Sequence, residues 1–201
     1  MQLNWSRKRI TTDEVGRMFV RATLDSVELG WPEIAATVCE STEFASPPTV
    51  DPEAFGPFLV VVVVGNLDFI PLHFNGAAQS AIVEAIAREL AVAIETDAAE
   101  VAGRIAQIRK MMTRLNKPSK KTTSAMARGL FTLYGLNAFQ DEYFQKINTP
   151  NPLFLKRIDD LMGHFLWDWT AFNKRYKVRK GNTISKKVTA PAEVAGEYSL
   201  N

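Results

Sequence analysis

The chain has 201 residues, 46% of them hydrophobic and 23% charged, with a net charge of +2, which allows one sizeable core and excludes the disordered and fibrous classes. Its single cysteine, Cys39, excludes an internal disulfide and fits a reducing, cytoplasmic compartment. With two histidines, no glycine-rich phosphate loop and no recognisable catalytic motif, no cofactor is expected.

The small net charge hides an uneven layout. Residues 1–9 carry three bases and no acid, residues 10–103 fifteen acids against three bases, and residues 104–187 eighteen bases against five acids. Such asymmetry points to an acidic partner, to self-association with opposite faces meeting, or to two halves whose charges offset on folding.

Residues 1–10 read as a flexible basic arm with one aromatic, Trp5, and no secretory signal is expected in it. Thr11 and Glu14 have the spacing of a capping box, so a helix should run to about Leu29, stopped by Gly30, with a short second helix over Pro32–Glu40. The prolines and glycine of Ser41–Pro57 predict a loop. Phe58–Ile70 is ambiguous, because five consecutive valines favour a strand. A lone strand would leave its backbone unpaired, so a helix buried on all sides is expected. Its run FLVVVVV falls far short of the about 20 apolar residues a membrane span needs.

Asn75 is placed to cap a helix over 76–95, and Asp97 with Glu100 to cap another over 98–115, whose seam is Val101, Ile105, Ile108, Met112 and Leu115. After a basic loop around Pro118, a helix from Thr123 or Ser124 should reach Ile147. The clearest pattern follows in 152–177, where Leu155, Ile158, Met162, Phe165, Trp169, Phe172 and Tyr176 recur at alternating spacings of 3 and 4, the signature of one long amphipathic helix. The short connections predict two antiparallel hairpins, 76–115 and 124–178. The expected architecture is therefore all-α: a single bundle of about six or seven helices over 11–178, with a loosely ordered tail at 179–201.

Few residues carry chemistry. Asp160, His164 and Asp168 would share a face of a helix and form a row that could hold a metal, although a solvated polar face explains them as well. Asp68 and His73 could line a cleft in a small-molecule binder or enzyme, Asp68 being the one carboxylate inside the most apolar stretch. Arg104, Arg109, Lys110, Arg114, Lys117, Lys120 and Lys121 form the densest basic run. With a second segment at 174–187, the whole of 104–121 could contact nucleic acid. Trp167, off the main seam, and Trp31 are candidate partner-binding residues. By elimination the expected function is that of a non-enzymatic helical interaction protein, self-associating as a homo-oligomer, with nucleic-acid binding as the alternative.

Overall fold

A computed structural model describes residues 7–117 and 119–179. The fold is an all-α bundle, with six α-helices of eleven residues or more, three shorter ones and one pair of short strands among the described residues.

The first helix, α1, spans Thr12–Cys39 without interruption. It starts at the expected capping box: the Glu14 N–H donates to the Thr11 hydroxyl and the Thr11 N–H to the Glu14 carboxylate. It does not stop at Gly30 or restart at Pro32, as the sequence predicts. The stripe Val15, Phe19, Thr23, Val27, Trp31, Ile34 and Val38 keeps its helical spacing through both residues and is buried along its length. That burial outweighs the roughly 3 kcal/mol a helix-interior proline costs. Gly30 has a packing role instead, since a Cβ there would lie 2.7 Å from the Phe165 ring.

The valine-rich stretch is a helix, α2 (Gly56–Leu67), with Pro57 in its first turn. Val61, Val62, Val63 and Val64 are fully buried against α1, α5 and α6. By length and composition alone Gly56–His73 would pass for a membrane span, but 56% of it is buried inside the protein. A brief helix, α3 (Ile70–His73), follows with Pro71 in its first turn.

Next come α4 (Gly76–Ala93) and α5 (Ala98–Leu115), which pack on one another. Asp97 caps α5 by accepting from the N–H groups of Ala99 and Glu100, whereas Asn75 makes no capping bond. The α4 helix also packs along α1, where Gly16 lies so close to Ala85 that an added Cβ would be 2.9 Å from its carbonyl carbon.

The two long helices expected beyond residue 123 are both broken, and with them the expected hairpin 124–178. α6 (Thr122–Leu133) ends before Gly135, which adopts φ +63°, a conformation a glycine enters at little cost. A 3₁₀ turn (Leu136–Phe139) leads to α7 (Glu142–Ile147), capped by Asp141. Buried Gln140 fastens this corner: its amide donates to the Asn137 side chain and the Thr149 carbonyl, and its oxygen accepts from the Asn151 N–H. Asn151 in turn caps α8 (Pro152–Met162), as its position predicts.

α8 ends at Gly163, and the predicted helix over 152–177 is replaced by a 3₁₀ turn (Gly163–Phe165), an extended link, and α9 (Trp169–Arg175). The seam residues still face inward, and Ile158, Met162, Trp169 and Phe172 are buried. The break is accommodated by Asn66 on α2, which meets the backbone of the link. Beyond α9 the chain becomes a strand.

Candidate nucleic-acid interface

In Tyr176–Arg179 large side chains alternate with cations, a period of two that suits a strand, whereas Arg7–Thr11 places three consecutive cations ahead of Ile10. They form β1 (Lys8–Thr11) and β2 (Tyr176–Arg179), paired in parallel with Lys8 beside Tyr176, Arg9 beside Lys177, Ile10 beside Val178 and Thr11 beside Arg179. Ile10 is buried, and Tyr176 and Val178 half-buried, while Arg9, Lys177 and Arg179 are exposed. The expected basic arm 1–10 is thus anchored at its end, and Arg7 adds a bond from its guanidinium to the Asn173 carbonyl. Residues 1–6 and 180–201, including Trp5, Lys180, Lys186 and Lys187, lie outside the described residues.

The pairing gathers Arg7, Lys8, Arg9, Lys174, Arg175, Lys177 and Arg179, all exposed, with no acid in 7–12 or 169–179. Among the described residues none of the seven forms an ion pair. The acids that follow β1 are engaged elsewhere. Asp13 meets Arg88 at 2.6 Å. Glu14 is held below the usual carboxylate range by the Thr11 N–H and hydroxyl, Arg17 and Lys8 adding less. Like charges in facing strand positions oppose pairing, and each such neighbour costs on the order of 1 kcal/mol at contact distance in water. Arg9 beside Lys177 is such a pair.

Next to the strands lies a surface depression of about 700 Å³. Arg7 and Lys177 border it; His73, Phe74, Asn75 and Tyr176 contribute to its wall. Phe74 sits edge-on to Trp169 at 5.7 Å, and Tyr176 lies against Phe172 at 5.0 Å. Both rings are the half-buried outer members of an aromatic group whose inner members are buried.

A second surface feature is an apolar groove of about 600 Å³ between α1 and α4, floored by Met18, Leu24, Val92 and Ala93. Val92 is 76% exposed. Along α1 its rim carries Arg17 and Arg21, then Asp25 and Glu28. Arg17 approaches Glu89 at 3.8 Å; Arg21, Asp25 and Glu28 have no ion pair among the described residues.

The residues singled out from sequence fall as follows. Trp31 is 1% exposed and packed on Phe58 and Tyr134, so it offers nothing to a partner. Trp167 is half-buried against Phe19, Trp169 and Phe172, within the internal aromatic group. Asp160, His164 and Asp168 are exposed and no longer share a helix; Asp168 caps α9 by accepting from the Ala171 N–H. No three acidic, histidine or cysteine side chains converge on a metal position among the described residues. Asp68 ends α2 beside Arg109 at 3.4 Å; partial burial raises its pKa, with the Arg109 charge opposing. It does not line the depression that contains His73, so the two residues are not brought together there.

Of the basic run, Arg109 is occupied by Asp68 and Lys121 by Asp159 at 2.8 Å. Arg104, Lys110, Arg114, Lys117 and Lys120 are exposed and without an acidic partner among the described residues. They belong to α5 and the loop after it, and α5 packs on α2, α4 and α6. Sequence reasoning missed Arg7, Lys8 and Arg9 as part of a site. Their only signal is the run of three cations before Ile10, which marks a basic arm but not a strand partner 168 positions away.

Comparison with protein-family models, with curated proteins and with solved structures found no match.

Proposed function

We propose that this is a non-enzymatic, cytoplasmic nucleic-acid-binding protein that engages phosphates through the paired strands β1 and β2. The observation that carries the reading is Arg9 in register with Lys177, within a group of seven exposed cations, none of which forms an ion pair among the described residues. A strand pair that holds repelling charges together is stabilised by a polyanion, and releasing counterions from nucleic acid supplies the driving force. The exposed cations of α5 would add a longer-range field.

Oligonucleotide affinity measured across a salt series tests this. Affinity should fall steeply with salt, with a log–log slope of about −0.7 per phosphate contacted for a single strand. The double charge reversal Arg9→Glu with Lys177→Glu should abolish binding. No binding at low salt, or binding that the double variant leaves intact, would sink the reading.

Self-association is a second reading, favoured by the α1–α4 groove. Arg17 and Arg21 precede Asp25 and Glu28 on one helix, so two copies crossing about a two-fold axis near Leu24 would set each positive half against the partner's negative half. Sedimentation should then show a dimer that Arg21→Glu or Asp25→Arg disrupts and that the two changes together restore. A monomer at every concentration would remove this reading.

A further inference from the structure

We infer, resting on the nucleic-acid reading above, that the preferred ligand is single-stranded and that one unstacked base seats in the depression beside the strand pair. Two kinds of group meet there. Arg7 and Lys177 on its border supply phosphate contacts, and the walls supply what a base uses: the rings of Phe74 and Tyr176, with the amide of Asn75. Phe74 and Tyr176 are held from behind by Trp169 and Phe172, so each ring is fixed in orientation while remaining half-exposed. Fixed aromatic rings beside a cationic track are the recurring platform for single strands, since every base has a face to stack.

Asn75 adds a polar handle. It has the extended backbone of a helix N-cap, φ −112° and ψ 154°, yet its side chain makes no capping bond. Its amide is thus uncommitted among the described residues and can pair with a base edge, which offers both donors and acceptors. The volume of about 700 Å³ falls within the range of sites that enclose an organic ligand. A duplex keeps its bases stacked inward and cannot fill a concave wall of this kind, so it would meet the cations alone.

The test compares a fluorescein-labelled oligothymidylate with a duplex of the same length, by anisotropy at one salt concentration. The single strand should bind about 10-fold more tightly, the lower part of what one stacked base contributes. Asn75→Ala and Tyr176→Leu should each erode that preference by lowering single-strand affinity more than duplex affinity, with melting temperature recorded to confirm folding. Photocrosslinking of the oligothymidylate to the wild-type protein supplies a measurement that needs no variant, and the adduct should map to Phe74 or Tyr176. Equal affinity for the two forms, variants without effect, or an adduct confined to other segments would overturn the single-strand inference and leave the nucleic-acid reading standing. Binding to neither form, or capture only by phosphatidylserine vesicles, would overturn both.

Discussion

The Asn66 side chain holds Trp167 by its backbone: the Trp167 N–H donates to Asn66 Oδ1 at 2.6 Å, while Asn66 Nδ2 donates to the Phe165 carbonyl at 2.9 Å. One buried amide in the valine helix therefore satisfies both polar groups exposed where the chain leaves its helix. The same amide also reaches the Val62 carbonyl, and the Trp169 indole N–H donates to the Asn66 backbone oxygen. Asn66→Leu keeps the size and removes both contacts to the link. At about 1–3 kcal/mol for each buried group left unpaired, the variant should lose roughly 2–5 kcal/mol of stability in urea unfolding. An unchanged midpoint would mean that the link finds other partners.

Glycine substitutions should split in sign. At Gly16 a new Cβ would lie 2.9 Å from the backbone of Ala85, so α1 and α4 must separate. Gly16→Ala is expected to destabilise by about 1–3 kcal/mol. Gly103, on the outer face of α5, has nothing within 4 Å of an added Cβ, and Gly103→Ala should stabilise by about 0.5–1 kcal/mol through helix propensity alone. Thermal melts of the two variants decide the matter.

Much of this fold is legible in the sequence, because periodicity and caps are local. Thr11 with Glu14, Asp97 and Asn151 all cap where their positions indicate, and burial of the valine run follows from its composition. The errors arise where a distant residue decides. Gly30 and Pro32 look like a stop until Trp31 and Phe165 are seen packing around them, and nothing in 152–177 announces that Asn66 will receive its broken backbone. Gly135 and Asp141 are local signals of a helix end and a helix start, but the dense apolar run around them favours one continuous helix. The candidate site was half legible. The cations were visible, but a strand pair joining the two ends of the chain depends on the tertiary fold.

Reversing one charge in that pair should separate stability from binding. Arg9→Glu places a carboxylate beside Lys177, exchanging repulsion for attraction. The variant should melt at or above the wild-type temperature while oligonucleotide affinity falls at least ~10-fold at low salt. Parallel losses in both measurements would indicate a merely structural role for Arg9.

Alkaline pH should act through Tyr134. Its phenol donates to the Ala54 carbonyl at 2.6 Å, and burial pushes its pKa up from 10.0 to about 12. The unfolded chain ionises this group first, so its contribution to stability is complete below pH 10.0 and disappears as pH rises towards about 12. Tyr134→Phe should flatten that part of the stability profile. A phenolate absorbance titration of the wild-type protein should show one late-ionising tyrosine, missing in the variant.

The parallel strands have a consequence for how the molecule forms. Arg7 and Asn173 are 166 positions apart, so an unstructured chain would have to close a loop of nearly its whole length to bring the strands together, an entropic penalty of about 4–5 kcal/mol. Four-residue strands cannot meet that penalty, and they can zip only after the helices have shortened the path. The clasp is thus expected to assemble last, and the concentrated positive surface it creates exists only in the finished molecule. A polyanion that recognises that surface will select the native state over the denatured ensemble and raise its melting temperature with the logarithm of ligand concentration once that exceeds Kd.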